Sequence, residues 1–270
     1  MPVAELHADT TALAAELATA VREAGAFALQ RFRSPLKSWT KGGNSPVSEV
    51  DIAVDEMLRA RLAAAAPDCA WLSEESVDDP VRLNARRLWI VDPIDGTRAF
   101  LAHREDWAVS AALVEGGRPV AAALFRPADD TMFLAAAGQG ATINGKPATP
   151  RPGRDFDGAR AAGPKRPLEA LTSLCPGIEP LPKVHSLALR LAMVAAGTVD
   201  IAFAGPDSHD WDIAAADLIV HEAGGALTTF DGRPPAYNRP NPVHGALAAA
   251  GRNRHAALLR LIAEGRKSFT

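Results

Sequence analysis

The sequence has little net charge and no long apolar run. Its formal net charge is -3, so it lacks the basic field that attracts a nucleic-acid polymer or an anionic membrane surface. No stretch approaches the roughly 20 apolar residues that a membrane-spanning helix needs. The first residues include Glu5 and Asp9 and have no cationic segment ahead of an apolar core, so we expect no secretory signal. These features predict a soluble cytoplasmic protein.

The sequence lacks the residue patterns of several common kinds of functional site. Cys69 and Cys175 lie far apart and outside any CxxC spacing, which is typical of two reduced thiols in the cytoplasm. The 7 histidines form no HExxH pattern and no closely spaced pair, so zinc is not expected. A GxSxG elbow for a serine nucleophile is absent. The Gly138-Gln139-Gly140 segment lacks the third glycine of a dinucleotide site.

The chain does have enough apolar residues for a large core. Hydrophobic residues make up 47% of its 270 residues, which suffices for one large domain or two packed ones. Their spacing predicts helices over residues 10–32, 51–65, 187–197, 213–223 and 255–265. Short apolar runs predict strands near residues 70–73, 88–91, 107–114, 119–125, 131–136, 141–143, 160–163 and 200–203. The Pro- and Gly-containing segment Thr149 to Asp157 is the best boundary candidate, because strands and helices alternate beyond it.

The segment from Leu88 to Phe100 is the centre of the pattern. Its apolar run predicts a buried strand that ends at Asp92, because Pro93 cannot donate to a sheet ladder. Asp95-Gly96-Thr97 has the composition of a tight turn. A turn that uses its aspartates to cap backbone groups would explain these residues by itself. Two carboxylates at the mouth of a buried strand are nevertheless costly unless a cation lies between them.

Acidic side chains recur where predicted elements begin or end. They are Asp51, Glu74, Glu75, Asp92, Asp95 and Asp212. Taken singly, Asp212 could cap a helix and Glu74-Glu75 could lie in a solvated loop. Taken together they favour a site for hard divalent cations, since Mg²⁺ binds through a few carboxylates plus a substrate phosphate.

Four ordered motifs run through nearly the whole chain. They are Lys41…Asn44-Ser45-Pro46-Val47…Asp51, Ser73-Glu74-Glu75-Ser76, Trp89-Ile90-Val91-Asp92-Pro93-Ile94-Asp95-Gly96-Thr97 and Trp211-Asp212-Ile213-Ala214-Ala215…Glu222-Ala223-Gly224-Gly225. This set resembles the inositol monophosphatase superfamily of lithium-sensitive, Mg²⁺-dependent phosphomonoesterases, which includes the 3'(2'),5'-bisphosphate nucleotidases. The resemblance implies a phosphoric monoester hydrolase that acts on a small phosphorylated metabolite.

The resemblance also implies an architecture. Members of the superfamily are layered α-β-α-β-α sandwiches in which an α+β part meets an α/β part. In this chain, residues 1–150 would carry most metal ligands and residues 151–270 would complete the site. Members are commonly homodimers, so a homodimer is expected here.

By position, the resemblance assigns a metal-binding role to five residues. Glu74 matches the ligand of a first, activating metal, and Asp92 matches the carboxylate between the first and second metals. The main-chain carbonyl of Ile94 matches a further ligand of the first metal. Asp95 and Asp212 match ligands of the second. The implied cofactor is two to three Mg²⁺ ions per site.

The resemblance assigns the catalytic and phosphate-binding roles next. The Thr97 hydroxyl, paired with Asp51, matches the dyad that orients and deprotonates the attacking water. The backbone N–H groups of Gly96 and Thr97 match a phosphate site at a helix start. Lys41 and Asn44 match a mobile loop that in relatives completes a more weakly held metal site.

The substrate is less narrowly predicted. In inositol monophosphatases a glutamate seven residues before the second-metal aspartate contacts the inositol ring, and that position here is Gly205. Bisphosphate nucleotidases are more closely resembled by Asn44-Ser45-Pro46-Val47, Leu72-Ser73-Glu74-Glu75 and Arg98 followed by Phe100. The inositol branch is resembled by Ile94 and by Glu222-Ala223-Gly224-Gly225. The leading expectation is therefore 3'-phosphoadenosine 5'-phosphate. Inositol phosphate comes next, followed by histidinol phosphate and sugar bisphosphates.

Polar residues near these motifs are candidates for the substrate pocket. They are Arg98, His103, Arg104, His185, Ser186, Gly205 and His209. A catalytically silent relative that binds metal is the alternative of a different class. The complete set of ligand positions argues against it.

Overall fold

The computed structural model describes residues 3–42 and 45–269, with side chains described from residue 10 onward. Its helices are α1 Val3–Arg31, α2 Glu49–Ala65, α3 Thr97–Leu101, α4 Lys165–Leu174, α5 Leu187–Ala195, α6 Asp210–Glu222, α7 Arg252–Glu264 and α8 Arg266–Phe269. None of the helices in this part of the chain is both long and apolar enough to cross a membrane.

The strands form two large sheets and two short ladders. They are β1 Ser38–Lys41, β2 Ser45–Ser48, β3 Ala70–Ser73, β4 Arg87–Asp95, β5 Ala108–Glu115, β6 Arg118–Arg126, β7 Thr131–Ala136, β8 Ala141–Ile143, β9 Lys146–Pro147, β10 Arg160–Ala162, β11 Glu179–Pro180, β12 Ile201–Ala204, β13 Ser208–His209, β14 Gly225–Thr229, β15 Val243–His244 and β16 Leu247–Gly251. The first large sheet has the order β3-β4-β5-β6-β7-β8-β9, and the second has the order β11-β10-β12-β16-β14.

Helices cover both faces of both large sheets. The helices α1 and α2 pack on one face of the first sheet, while α5 and α6 lie between the sheets. The helices α4, α7 and α8 enclose the apolar cluster on the outer face of the second sheet. This arrangement confirms the predicted α-β-α-β-α sandwich. The first sheet uses residues 70–147 and the second uses residues 160–251; the division into two parts stays a prediction.

The apolar run in β4 has a packing reason. Trp89 and Val91 belong to the cluster under α1 and α2, whereas Leu88 and Ile90 belong to the cluster shared with α5 and α6. A strand that is buried on both faces is apolar at successive positions instead of alternating with polar residues. The strand therefore ends in the protein interior, where it places Asp92 and Asp95.

The structure corrects the predicted end of this strand. Asp92 pairs with Ser110 and Asp95 pairs with Ala108, with a register shift between them. The ladder therefore resumes beyond Pro93, and the prediction that it stops at Asp92 was wrong. A bulge tolerates the missing proline N–H, because residues inside it are not paired to the neighbouring strand.

Two helices also differ from the predictions. The helix α1 begins at Val3, seven residues before the predicted start at residue 10. The helix α4 was not predicted, since Pro167 interrupts its apolar pattern. Pro167 lies in the first turn, where backbone N–H groups have no partner inside the helix and a proline costs little.

Candidate active site

Three aspartates meet between the bulge of β4 and the start of α6. One carboxylate oxygen from each of Asp92, Asp95 and Asp212 lies within 4.8 Å of the others. Asp92 is 1% exposed, and its Oδ1 has no hydrogen-bond partner among the residues that the structure describes. Burial, followed by the charges of Glu74 and Asp95, raises the pKa of Asp92 well above its usual value. A buried carboxylate oxygen without a donor is suited to a cation.

Asp95 is held by the N-terminus of α5. Its Oδ2 accepts hydrogen bonds from Ser186 Oγ at 2.6 Å and from the Ala188 N–H at 2.6 Å, and its Oδ1 accepts one from the Leu187 N–H at 3.0 Å. A carboxylate is favourable at a helix N-terminus. Burial and then the nearby Asp212 nevertheless raise the pKa of Asp95 to about 7. Because a carboxylate accepts about four hydrogen bonds, one position remains for a ligand.

Asp212 contacts the backbone at the start of α6 and also lies close to Asp92 and Asp95. Its Oδ2 accepts a hydrogen bond from the His209 N–H at 2.5 Å in the first turn of the helix. The N-cap of α6 is His209 and Asp212 is its third residue, so the alternative that Asp212 is the N-cap was wrong; its carboxylate instead accepts the N-cap N–H. The His209 ring stacks on Trp211 at 4.5 Å between centroids. Its Nδ1 lies 3.8 Å from Asp212 Oδ2, and this interaction raises the pKa of His209.

Glu74 and Glu75 share one lysine. Lys41 Nζ lies 3.3 Å from Glu74 Oε1 and 2.7 Å from Glu75 Oε1. Burial raises the pKa of Glu74, and Lys41 partly offsets the rise. Burial raises the pKa of Glu75 to about 7, and its Oε2 has no hydrogen-bond partner in the described part of the chain. Glu74 lines the same cavity as the three aspartates without belonging to their tight group, and Asn44 lies outside the described residues.

The predicted dyad forms a buried hydrogen-bond chain. Thr97 Oγ1 lies 2.9 Å from Asp51 Oδ1 and 3.0 Å from the Ile94 carbonyl. Asp51 Oδ2 accepts hydrogen bonds from the Ser48 N–H at 2.9 Å and from Ser48 Oγ at 2.5 Å. Burial raises the pKa of Asp51 against these bonds, so the ionised carboxylate is a stronger proton acceptor.

Gly96 occupies a position where backbone atoms would crowd a side chain. Its φ is 96°, and a Cβ there would lie 3.1 Å from the Asp106 carbonyl oxygen and 3.2 Å from the Ser186 nitrogen. Only glycine adopts this conformation without strain. Gly96 and Thr97 line the cavity side by side. Their role in phosphate binding stays a prediction.

The cavity has a volume of about 280 Å³ and two kinds of lining. We call Glu74, Asp92, Asp95 and Asp212 its acidic set. A basic set of Arg98, Lys183 and His185 lines the same cavity. Lys183 was not predicted from the sequence, since no motif surrounds it.

Asp106 orients His185. Its Oδ2 lies 2.7 Å from His185 Nδ1 and accepts the His185 backbone N–H at 2.8 Å. These bonds lower the pKa of Asp106 against the effect of its burial. Because Nδ1 faces Asp106, Nε2 is the ring nitrogen left for a ligand in the cavity.

The other candidate pocket residues lie elsewhere. Ser186 is fully buried, and its hydroxyl donates to Asp95 instead of lining the cavity. Gly205 and His209 are not among the described residues that line it. His103 and Arg104 line a neighbouring cavity of about 560 Å³, which shares Lys183 with the first.

Comparison with known proteins relates this geometry to one family. Residues 9–266 match the model of the inositol monophosphatase family. The chain is 33% identical to an inositol-1-monophosphatase of Rhizobium meliloti over 208 residues, 71% of this chain and 75% of that protein. It is 32% identical to the Nus factor SuhB of Escherichia coli K12 over 229 residues, 79% of this chain and 83% of that protein. A Streptomyces griseus protein named glucose-1-phosphate thymidylyltransferase is 37% identical over 204 residues, 71% of this chain and 76% of that protein.

Solved structures share the fold over nearly the whole chain. The extragenic suppressor protein suhB of Bartonella henselae superposes with a TM-score of 0.84 at 28% identity, covering 94% of this chain and 99% of that one. The IMPase of Thermotoga maritima superposes with a TM-score of 0.81 at 25% identity, covering 93% and 97%. Both sheets and the helices between them are thus common to these proteins.

Proposed function

The chain belongs to the inositol monophosphatase family of phosphatases, and we propose that it hydrolyses a 3'(2'),5'-bisphosphate nucleotide with Mg²⁺ as its cofactor. The family acts on small phosphorylated substrates and depends on metal ions. The observation that carries the proposal is that the acidic set and the basic set line the same cavity. The acidic set suits cations, and the basic set suits a second anionic group on the substrate.

The donor atoms of the acidic set fit a hard divalent cation. The unpartnered Oδ1 of Asp92 and the close oxygens of Asp95 and Asp212 are carboxylate donors, which Mg²⁺ prefers. Glu74 and the second lone pair of the Ile94 carbonyl would complete the set. When bound, Mg²⁺ would neutralise the phosphate, activate a water and stabilise the leaving oxygen.

The dyad positions and deprotonates the attacking water. The Thr97 hydroxyl donates a hydrogen bond to Asp51 Oδ1, so the Thr97 oxygen can accept a hydrogen bond from the water. The proton then moves from the water to Thr97 as the Thr97 proton moves to Asp51. Transfer to a phosphorus centre needs mainly this positioning and neutralisation of charge.

The basic set favours a substrate that carries charge beyond the scissile phosphate. Arg98 and Lys183 are exposed at the cavity, and His185 is oriented there by Asp106. A phosphate on the leaving group accepts hydrogen bonds from such groups and complements their charge, whereas a neutral polyol does not complement it. Gly205 supplies no carboxylate to hydrogen-bond a ring hydroxyl. Both points favour a bisphosphate nucleotide over inositol phosphate.

Inositol 1-phosphate is the second candidate substrate. The Rhizobium meliloti relative is named an inositol-1-monophosphatase, and it is 33% identical over 71% of this chain. Lithium sensitivity, a homodimer and a cytoplasmic location stay predictions.

The test measures phosphate release from 3'-phosphoadenosine 5'-phosphate, adenosine 3'-phosphate and inositol 1-phosphate, with Mg²⁺ and with or without Li⁺. We expect the highest kcat/KM for the bisphosphate. Lys183→Met should lower kcat/KM for the bisphosphate by about tenfold, the equivalent of one charged contact, and leave inositol 1-phosphate unchanged. Lys165→Met, at an exposed lysine on α4, is the matched control. A preference for inositol 1-phosphate, or equal rates on both adenosine phosphates, would refute the nucleotide assignment.

A further inference from the structure

Asp55 joins two parts of the candidate active site. It lies on α2 four residues after Asp51, so the two side chains project from the same face of the helix. Both are buried. Asp51 contacts the dyad partner Thr97, while Asp55 contacts the segment that contains Glu74. One helix therefore holds the dyad and the Glu74 segment, one turn apart.

Asp55 contacts the residues on both sides of Glu74 and Glu75. Ser73 Oγ donates to Asp55 Oδ1 at 2.5 Å, and Ser76 Oγ donates to Asp55 Oδ2 at 2.6 Å. The residues between the two serines are Glu74 and Glu75. The segment is thus tied to α2 on both sides of the glutamates, with one oxygen of the same carboxylate used for each tie.

Further bonds make these ties rigid. Ser73 Oγ also accepts the Glu75 N–H at 3.3 Å, and Ser76 Oγ accepts Trp71 Nε1–H at 3.2 Å. The Glu74 N–H donates to the Val91 carbonyl at 3.3 Å, one residue before Asp92. The position of the Glu74 backbone is therefore set by β4 on one side and by Asp55 on the other.

We propose that Asp55 is a positioning residue that holds Glu74 at a fixed distance from the Asp51–Thr97 dyad and thereby sets the affinity of the site for its divalent cation. The proposal rests on the metal-dependent phosphatase activity proposed above. Asp55 is not among the residues that line the cavity, so it acts through Ser73 and Ser76. Outer residues that orient metal ligands commonly control affinity by about 10- to 100-fold.

The experiment titrates the full chain with Mg²⁺ alone by calorimetry, without substrate. Asp55→Ala should weaken Mg²⁺ binding by about 10- to 100-fold, and so should the double variant Ser73→Ala/Ser76→Ala, which removes the partners instead. Adding Asp55→Ala to that double variant should cost little more, since both changes break the same contacts. In turnover, saturating Mg²⁺ should restore most of kcat, with KM for the phosphate ester unchanged.

Matched variants separate positioning from general damage. Tyr237→Phe removes a hydroxyl from another buried carboxylate, Asp217, and should lower the melting temperature without changing Mg²⁺ affinity. Ser76→Ala removes a single tie at a half-buried position, so it provides the test if Asp55→Ala does not fold. We expect an intermediate loss of affinity from it.

The outcomes distinguish this inference from the proposed function. If Asp55→Ala and Ser76→Ala fold and bind Mg²⁺ as the wild type does, while the wild type releases phosphate, the positioning role is refuted and the function stands. If the wild type binds Mg²⁺ and Asp55→Ala binds it weakly, but no phosphomonoester is hydrolysed, the positioning role stands and the function is refuted. If Asp55→Ala and Tyr237→Phe lose the same amount of Mg²⁺ affinity, the loss reflects general damage to the fold, and the inference is refuted.

Discussion

Removing divalent cations should destabilise the folded chain at neutral pH and much less at acidic pH. Asp95 shows the reason, because its pKa rises from 3.8 to about 7 on folding without a metal. A group with a raised folded pKa contributes stability that is complete below its unfolded pKa and is lost as the pH rises through the folded pKa. For Asp95 the loss therefore falls between pH 3.8 and about 7.

The magnitude follows from the size of the shift. The difference between 3.8 and about 7 is about 3 pKa units, which at about 1.4 kcal/mol per unit is about 4 kcal/mol. In a chain of this size that corresponds to about 10 °C in melting temperature. The pKa values of Asp51, Glu74 and Asp92 are raised too, chiefly by burial, so their contributions have the same sign.

The assay is a set of thermal melts in a chelator at pH 5 and pH 8, each repeated with excess Mg²⁺. We expect a lower melting temperature at pH 8 in the chelator, and a larger stabilisation by Mg²⁺ at pH 8 than at pH 5. Asp217→Asn is the control, because burial raises the pKa of Asp217 too but Asp217 does not line the cavity. In this variant, the stabilisation by Mg²⁺ should still be larger at pH 8 than at pH 5. A metal-free melting temperature that rises between pH 5 and pH 8, or equal stabilisation by Mg²⁺ at both, would refute the reasoning.

Three further substitutions test the site. Asp92→Asn should abolish Mg²⁺ binding and nearly all turnover while the circular dichroism stays native, since it removes the charge of the buried carboxylate; turnover within tenfold of the wild type at saturating Mg²⁺ would contradict this role. Thr97→Val should lower kcat by about 10²- to 10⁴-fold with Mg²⁺ affinity, measured by calorimetry, unchanged; equal loss of both would assign Thr97 to metal binding instead. Gly96→Ala should destabilise the fold by about 1–3 kcal/mol in chemical denaturation, because its Cβ would meet Asp106 and Ser186 at a φ of 96°; wild-type stability would exclude the crowding.

Much of the fold could be predicted because its signals are local. The Gly116-Gly117 and Asn144-Gly145 turns have the positive φ values that such hairpin turns require. The strands on both sides of the first turn were predicted, and so was β8 before the second, whereas the short strand β9 after it was not. The helix α4 was missed because, in the sequence, a proline in the first turn of a helix looks the same as a proline that ends one. The bulge at Pro93 was missed because it depends on pairing with β5, which is not a property of β4 alone.

Among the site residues, those predicted belong to dense motifs and those missed do not. Lys183 and Asp106 belong to no recognisable pattern, and they reach the site through the packing of the segments before α5 and β5. Ser186 was predicted for the substrate pocket, but its place at the α5 N-terminus turns its hydroxyl to Asp95. Asp55 did have a signal, namely its spacing of four residues from Asp51.

The sequence alone determined the donor chemistry, the order of the elements and the resemblance to the family, because residue type, periodicity and turn composition act over a few neighbouring residues. Only the tertiary structure decided which donors meet. Asp212 comes within 4.8 Å of Asp92 and Asp95 because α6 packs between the two sheets with its first turn towards the end of β4. Arg98 lies in α3 directly after β4, and the segment before α5 adds Lys183 and His185 to the same cavity. Distances between residues far apart in the chain depend on how whole elements pack, and local pattern does not specify them.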